Sequence, residues 1–404
     1  MSELVVILTD FFLPPADDRP VSASPVTASP GAARPTGAAA LPRLPSLEVL
    51  LARAHREPLA DDWRGWLARR LGGPPLAPAS LVARAWGVQA AGGAEQGGDG
   101  ARLVGDEPGG DGARVAGASA CGYWLATPVH LVAGISRVMM HPAGLLHLGA
   151  DEQQELVEQF AAQFGDSPWR LYTRGQRELL LGGPALSASG ADPARFLCAD
   201  PSAGLPRGAD ARALRRLGSE LELWLHEHAL NRARARRGQL PVTTLWLWGG
   251  ETSEGGGTGE AGGSGGASQA GGTGGAGGAS GAGGASGRRV TAYLYGRDTY
   301  AEALVQWLGG QCRPLETDAP VDISAVAGGA SDLILAHEVH GKATHAAGRL
   351  ELLERQWLGP ALAGLRAGRL HALLLVASDH VYHLRRLDRW RIWHACAPWW
   401  EVLG

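Results

Sequence analysis

Residues 4–9 read LVVILT and are followed at once by Asp10. Apolar side chains stand at consecutive positions, without the polar residue every third or fourth place that a surface helix would show. The run therefore predicts a strand covered on both faces, the environment of a parallel sheet between two helical layers. A second run of this kind, LLLVA at 373–377, ends in Ser378-Asp379-His380. Open α/β sheets collect their functional groups beyond the carboxyl ends of the strands. Asp10 and the Asp379-His380 pair stand at such ends, which makes them the first candidates for chemistry.

Strand and helix signals alternate outward from both runs. A helix is expected over Leu47, Leu50, Leu51 and Ala54 with Ser46 as its N-cap. A second follows over Trp63, Trp66, Leu67 and Leu71. Further on come strands at Val290 to Tyr295 and Leu333 to Ala336 and a helix at Tyr300 to Leu308. Leu350 to Leu365 predicts another helix, which Pro360 should kink or break. The alternation at Val381 to His394 predicts a hairpin turning near Leu387-Asp388. Between these parts, Tyr123 to Ala133 and Val138 to His147 read as paired strands. Asp151 to Phe164 reads as an amphipathic helix, and Leu179 to Leu181 as a short strand closed by Gly182 and Gly183. A long helix capped by Asp210 carries the stripe Leu214, Leu217, Leu221, Trp224, Leu225 and His228. The class is α/β with helices on both faces of a sheet.

Two tracts break the pattern. Residues 91–118 mix Gly with Asp, Glu and Ala, and residues 249–287 are almost wholly Gly, Ala, Ser and Thr. Such composition buries too little apolar area to offset ordering entropy, so both are expected to be disordered. The net charge of −3 gives no general attraction to nucleic acid or to an anionic membrane. No apolar run reaches the ~18 residues of a membrane span. The opening residues lack the basic start and long apolar core of a secretory leader, so a cytoplasmic protein is expected. Cys121, Cys198, Cys312 and Cys396 lie far apart and predict free thiols in a reducing compartment.

The polar candidates each carry two readings. Asp10, His345, Asp379 and His380 have the donor chemistry for a divalent metal such as zinc or manganese. They are equally the polar residues that end strands and line loops. In LHEHALNRARARRGQLPVTTLWLWGG (225–250), Arg232, Arg234, Arg236 and Arg237 close a helix before Gly238. Arginines there favour the helix dipole, and Arg232 and Arg236 could grip a phosphate. No phosphate-binding G-x-x-x-x-G-K-[ST] loop and no G-x-S-x-G elbow is present.

This same segment resembles one in the archaeal-type cofactor-independent phosphoglycerate mutases. His228, Asn231, Arg232, Gly238, Pro241 and Trp246 to Gly249 carry the match, with Ala229 in place of a proline. ILTDF (7–11) is similar to the family's first strand, EVHGKATH (338–345) to its metal-binding Glu-Ala-Pro-Asp-Glu-Ala-Gly-His, and VASDH (376–380) to the strand ending in its Asp-His pair. The resemblance implies an alkaline-phosphatase-like sheet built from both chain ends, with an inserted α+β middle domain. The implied division is 1–90, a linker at 91–118, the middle domain at 119–248, the Gly-rich tract at 249–287, and 288–404. It also implies Asp10, His345, Asp379 and His380 as metal ligands for manganese or zinc. Two departures stand against catalysis. Gly341 occupies the place of a metal-binding Asp, and the first hundred residues hold no counterpart of the serine nucleophile loop. The chain is in this respect similar to the bacterial RpfE-type regulatory proteins. A catalytically degenerate, regulatory or binding member is expected, with a phosphorylated small molecule as ligand and no membrane or nucleic-acid partner. An active metal-dependent mutase or phosphatase is the alternative.

Overall fold

A computed structural model describes residues 3–9, 42–60, 62–88, 121–134, 137–175, 177–251, 292–313, 332–337, 343–377, 379–390 and 395–403. Strand β1 (Glu3–Leu8) is buried from Leu4 onward. Its branched side chains suit a pleated surface packed on both sides. It lies in a seven-stranded sheet with β2 (His55–Pro58), β8 (Ala292–Tyr295), β9 (Gln311–Arg313), β10 (Asp332–His337), β11 (Ala372–Ala377) and β12 (His380–Arg385). The order is β2-β12-β11-β1-β10-β8-β9. β1 runs parallel to both neighbours, with Ile7 opposite Ala336 on one side and Val376 on the other.

Successive residues of β1 enter opposite cores, as the period of two requires. Leu4, Val6 and Leu8 join Leu373 and Leu375 against α1 (Pro45–Arg53), α8 (Ala343–Leu353), α9 (Gly359–Arg366) and α10 (Trp399–Val402). Val5 and Ile7 join Ile334, Leu374 and Val376 against α2 (Trp63–Leu71), α3 (Pro78–Ala85) and α7 (Thr299–Trp307). A leucine buried this fully contributes on the order of 2 kcal/mol relative to exposure.

A second, antiparallel sheet holds β3 (Cys121–Ala133), β4 (Val138–Leu145), β5 (Arg170–Tyr172), β6 (Leu179–Pro184) and β7 (Thr244–Trp248). Leu245 and Leu247 of β7 face a core shared with α4 (Ala150–Phe164), α5 (Ala211–His226) and α6 (Ala229–Arg236). Trp246 and Trp248, one residue out of phase, belong to the core that holds α2, α3 and α7. That helical layer is therefore packed on both sides. Among the described residues no helix is long and apolar enough to cross a membrane. None of the four cysteines is in a disulfide.

Several local expectations are corrected. Ser46 does not cap α1. Leu44 holds that place, Pro45 starts the helix, and the Ser46 and Leu47 amides donate to the Glu354 carboxylate at 2.6 and 3.0 Å. A distant carboxylate meets the open amides and the positive end of the dipole where no local side chain does. Pro360 breaks nothing: helical turns run from Ala343 to Arg366. Proline crowds the carbonyl four residues back. The widened π-turn Glu354–Leu358 absorbs this, with the Gly359 amide reaching back to the Glu354 carbonyl. Asp210 stands at the N-cap of α5 without capping it, because its carboxylate takes the Ser187 amide at 2.8 Å.

The long helix expected after Asp210 is two helices. α5 stops at His226, and the His228 imidazole accepts from the Leu230 amide to start α6. Strand β6 continues through Gly182 and Gly183, where a closing turn was expected. A Cβ on Gly183 would come within 2.3 Å of the Trp169 ring, so the glycine lets the indole lie on the strand. The C-terminal hairpin turns between Ala377 and His380. β12 folds straight back on β11 with Ala377 opposite His380, and Leu387-Asp388 lies in a 3-10 turn, Arg386–Trp390. A Ser-Asp pair is itself a turn signal. The Gly-rich stretches lie outside the described residues, apart from 249–251.

Candidate functional site

Parallel register brings the carboxyl ends of β1, β10 and β11 together. Leu8 is opposite His337, and Ile7 is opposite Val376, three residues before Asp379. Thr9, the next residue after β1, is fully buried, and its hydroxyl has no hydrogen-bond partner among the described residues. Asp10 lies outside the described residues. So do Glu338 to Lys342. The backbone of His345 is in the first turns of α8, and its side chain is outside what is described.

Asp379 and His380 are placed by the tight turn into β12. The Asp379 carbonyl accepts from the Leu59 amide at 2.8 Å, which ties the turn to the chain leaving β2. Its carboxylate, 58% exposed, accepts from Arg195 Nη2 at 2.8 Å. The His380 ring lies beside Arg56, whose Nη2 is 3.1 Å from Nε2 and 3.4 Å from Nδ1. Burial, with Arg56 next, holds the imidazole below its ordinary pKa against the pull of Asp379. The same guanidinium stands over the Tyr382 ring, 5.9 Å from its centre. Among the described residues, these strand ends bring together two guanidinium groups, one carboxylate and one imidazole.

Arg195 is held from behind. It belongs to a 3-10 turn, Pro193–Phe196, whose Ala194 amide donates to Asp192 Oδ1 at 2.9 Å. The other oxygen of Asp192 takes Arg64 Nη1 at 2.6 Å. Arg64 is 2% exposed and stands between two indoles, 4.3 Å from the Trp63 ring centre and 4.5 Å from that of Trp248. A buried pair thus fixes the turn that carries a half-buried arginine to the strand ends.

Arg232 and Arg236, expected to grip phosphate, are exposed on α6, which packs on α4. Arg232 Nη1 is engaged by the Glu227 carbonyl at 2.9 Å. They belong to the helices of the second sheet, away from the Asp379 turn in the chain's layering. Sequence reading passed over Arg56 and Arg195. HREP (55–58) is too short for a periodicity signal, though the Asp192-Pro193 start of DPARF was a turn signal.

No protein-family profile matches this chain, and no curated protein matches it. The structural neighbours include a cofactor-independent phosphoglycerate mutase. That protein, from Thermoplasma acidophilum DSM 1728, is 13% identical, with 95% of this chain and 89% of that chain covered at a TM-score of 0.33. The PH0037 protein from Pyrococcus horikoshii is 10% identical, with 95% and 87% covered at a TM-score of 0.41. Likeness at this level assigns no residue a role.

The segment that carried the sequence resemblance does structural work here. Asn231 Nδ2 donates to the carbonyls of Leu225 and Val242 at 2.7 and 2.8 Å, and its Oδ1 accepts from the Val242 amide at 2.8 Å. It pins the end of α5 to the entry of β7. Arg234 and Arg237 both pair with Glu152 at the start of α4. Asn231→Ala is expected to cost about 2 kcal/mol, since it strands partly buried backbone groups. Urea denaturation checks this, and a loss below a few tenths would show that water replaces the amide.

Proposed function

We propose that this protein is a divergent, catalytically degenerate member of the cofactor-independent phosphoglycerate mutase group. In this reading it binds a phosphorylated small molecule at the strand ends and acts as a regulatory or binding protein in the cytoplasm. The supporting observation is that Asp379 and His380, the pair the sequence resemblance assigns to metal, each face a guanidinium. A divalent cation would have to displace Arg195 from Asp379 and sit beside the positive charge of Arg56. Among the described residues no group of three or more His, Cys, Asp or Glu is placed to hold an ion. Of the four residues the resemblance assigns to metal, Asp379 and His380 are the two with described side chains. Arg56 and Arg195 suit a phosphate or carboxylate instead, because guanidinium forks match planar and tetrahedral oxyanions. The division into an inserted middle domain at 119–248, flanked by two parts of one core, belongs to the same proposal.

Calorimetric titration with 2- and 3-phosphoglycerate tests the reading. Saturable binding without turnover is expected, weakened about tenfold or more by Arg195→Ala or Arg56→Ala. Turnover of 2-phosphoglycerate with added manganese or zinc that disappears in Asp379→Ala would overturn it.

The alignment of strand ends favours a second reading, an active metal-dependent mutase or phosphatase. β1, which precedes Asp10 in the sequence, runs parallel to β11, which precedes Asp379. Metal content separates the two. One or two equivalents of manganese or zinc in the wild type, lost in Asp379→Ala, would establish the second reading.

A further inference from the structure

The second sheet carries a groove that the proposed function does not use. Its volume is about 390 Å³, within the ~300–1,000 Å³ range of small-molecule sites. One wall is α5, through Arg215, Gly218, Ser219 and Glu222. The facing wall is the loop from Pro201 to Pro206, and the floor is β7 with Leu131 and Val138 at one end. Leu205 and Val138 are large apolar side chains left open to solvent here, 41% and 44% exposed. Trp246 of the floor is held in place by donating its indole N–H to the Ala191 carbonyl at 2.8 Å.

The two charged groups of the groove differ in their state. Arg215 Nε donates to the Pro206 carbonyl at 2.9 Å, so the guanidinium bridges helix and loop and closes one end. Glu222 stands seven residues on, about 10 Å along the helix axis. It is exposed and has no cationic partner among the described residues, and desolvation along the groove wall holds its carboxyl above the ordinary range. An apolar trough with an uncompensated carboxylate at one end is complementary to a molecule with an apolar body and one positive charge. Gly218 keeps the trough open: a Cβ there would meet nothing within 4 Å. Glycine in mid-helix costs about 1 kcal/mol relative to alanine, so helix stability alone gives no reason for it.

We propose that this groove binds a small aromatic or alkyl amine, with its apolar body against Leu131, Val138 and Leu205 and its ammonium on Glu222. The site is independent of the strand-end reading, since it shares no residue with it.

Tryptamine and indole-3-propionate share a ring system and differ in the sign of the charge, so they serve as matched probes. Calorimetric titration of the full chain is expected to show saturable one-to-one binding of tryptamine and much weaker binding of indole-3-propionate. Glu222→Gln should weaken tryptamine about tenfold, the loss of one charge-assisted hydrogen bond. Gly218→Leu fills the trough, raises helix propensity, and should abolish binding while leaving the thermal midpoint unchanged or higher. Preference for the propionate would assign the groove to an anion on Arg215 and overturn the proposal. Tryptamine binding indifferent to either substitution, or absent up to millimolar concentration, would also overturn it.

Discussion

Arg64→Ala is expected to destabilise the protein by about 3–5 kcal/mol, the cost of breaking a buried charge pair from one side. Three features compound the loss. The Arg64 guanidinium donates to Asp192 at 2.6 Å and lies 3.6 Å from Asp62. It fills the gap between the Trp63 and Trp248 rings, a desolvated cation–π sandwich. It also faces Asp298, which is 3% exposed. Burial works against its charge, yet Asp192, Asp298 and Asp62 together hold the guanidinium above its ordinary pKa. Truncation would leave two buried carboxylates and a cavity between two indoles. Arg64→Lys keeps the charge without the flat fork and should recover only part of the loss. Urea midpoints of the three proteins provide the measurement. A loss below 1 kcal/mol for alanine would show that other cations compensate the carboxylates. The effect should also reach the strand ends, because Asp192 orders the turn that carries Arg195.

Asp298 lies in the same cluster and gives the second large effect, a dependence on pH. Its Oδ1 accepts from the Ala301 amide at 2.8 Å as the N-cap of α7. Four carboxyl groups, Asp62, Glu178, Asp192 and Asp298, share the neighbourhood with two guanidinium groups, Arg64 and Arg177. Thr299 donates to Glu178 and brings that carboxylate to the start of α7. Burial first, then Glu178, pushes the Asp298 carboxyl up to about 7, against Arg64, the Ala301 amide and Arg177. The folded protein therefore holds a proton on Asp298 at pH values where the unfolded chain has released it. Stability from this group is complete below the unfolded pKa and declines as pH rises toward about 7, where it is lost. Asp298→Asn keeps the cap and removes the proton. The stability of wild type relative to Asp298→Asn should thus fall by about 3 kcal/mol between pH 5 and pH 8. Denaturation curves at four pH values in that window provide the test. Parallel behaviour of the two proteins would mean that the cluster carries no excess negative charge.

The α/β class and most elements were legible because their signals are local. LVVILT and LLLVA suit strands covered on both faces, and β1 and β11 are adjacent in the sheet. The stripes at Trp63 to Leu71 and Leu214 to Leu225 report a period of 3.6 that packing then uses. Their ends were less legible, because caps are chosen by whatever partner arrives. Glu354, 308 residues from Ser46 in the chain, replaced a local cap that looked sufficient. Pro360 looked like a breaker, because nothing local announces a π-turn. The candidate site was half visible. Asp379 and His380 could be placed at a strand end from sequence, but not the arginines that face them.

The sequence by itself determined which segments are buried on both faces, which helices have one wet side, and where each strand delivers its last polar residue. These properties follow from side-chain period and composition, which a neighbouring element does not alter. Only the tertiary structure decided the order of strands, the hairpin turn at Asp379, and the meeting of Arg64 with Asp192 and of Arg195 with Asp379. The last of these joins residues 184 positions apart. Pairings of this kind depend on which cation the packed layers bring within reach of which carboxylate. A charge in the sequence carries no mark of its partner, because Coulomb attraction selects by distance in space and not by distance along the chain.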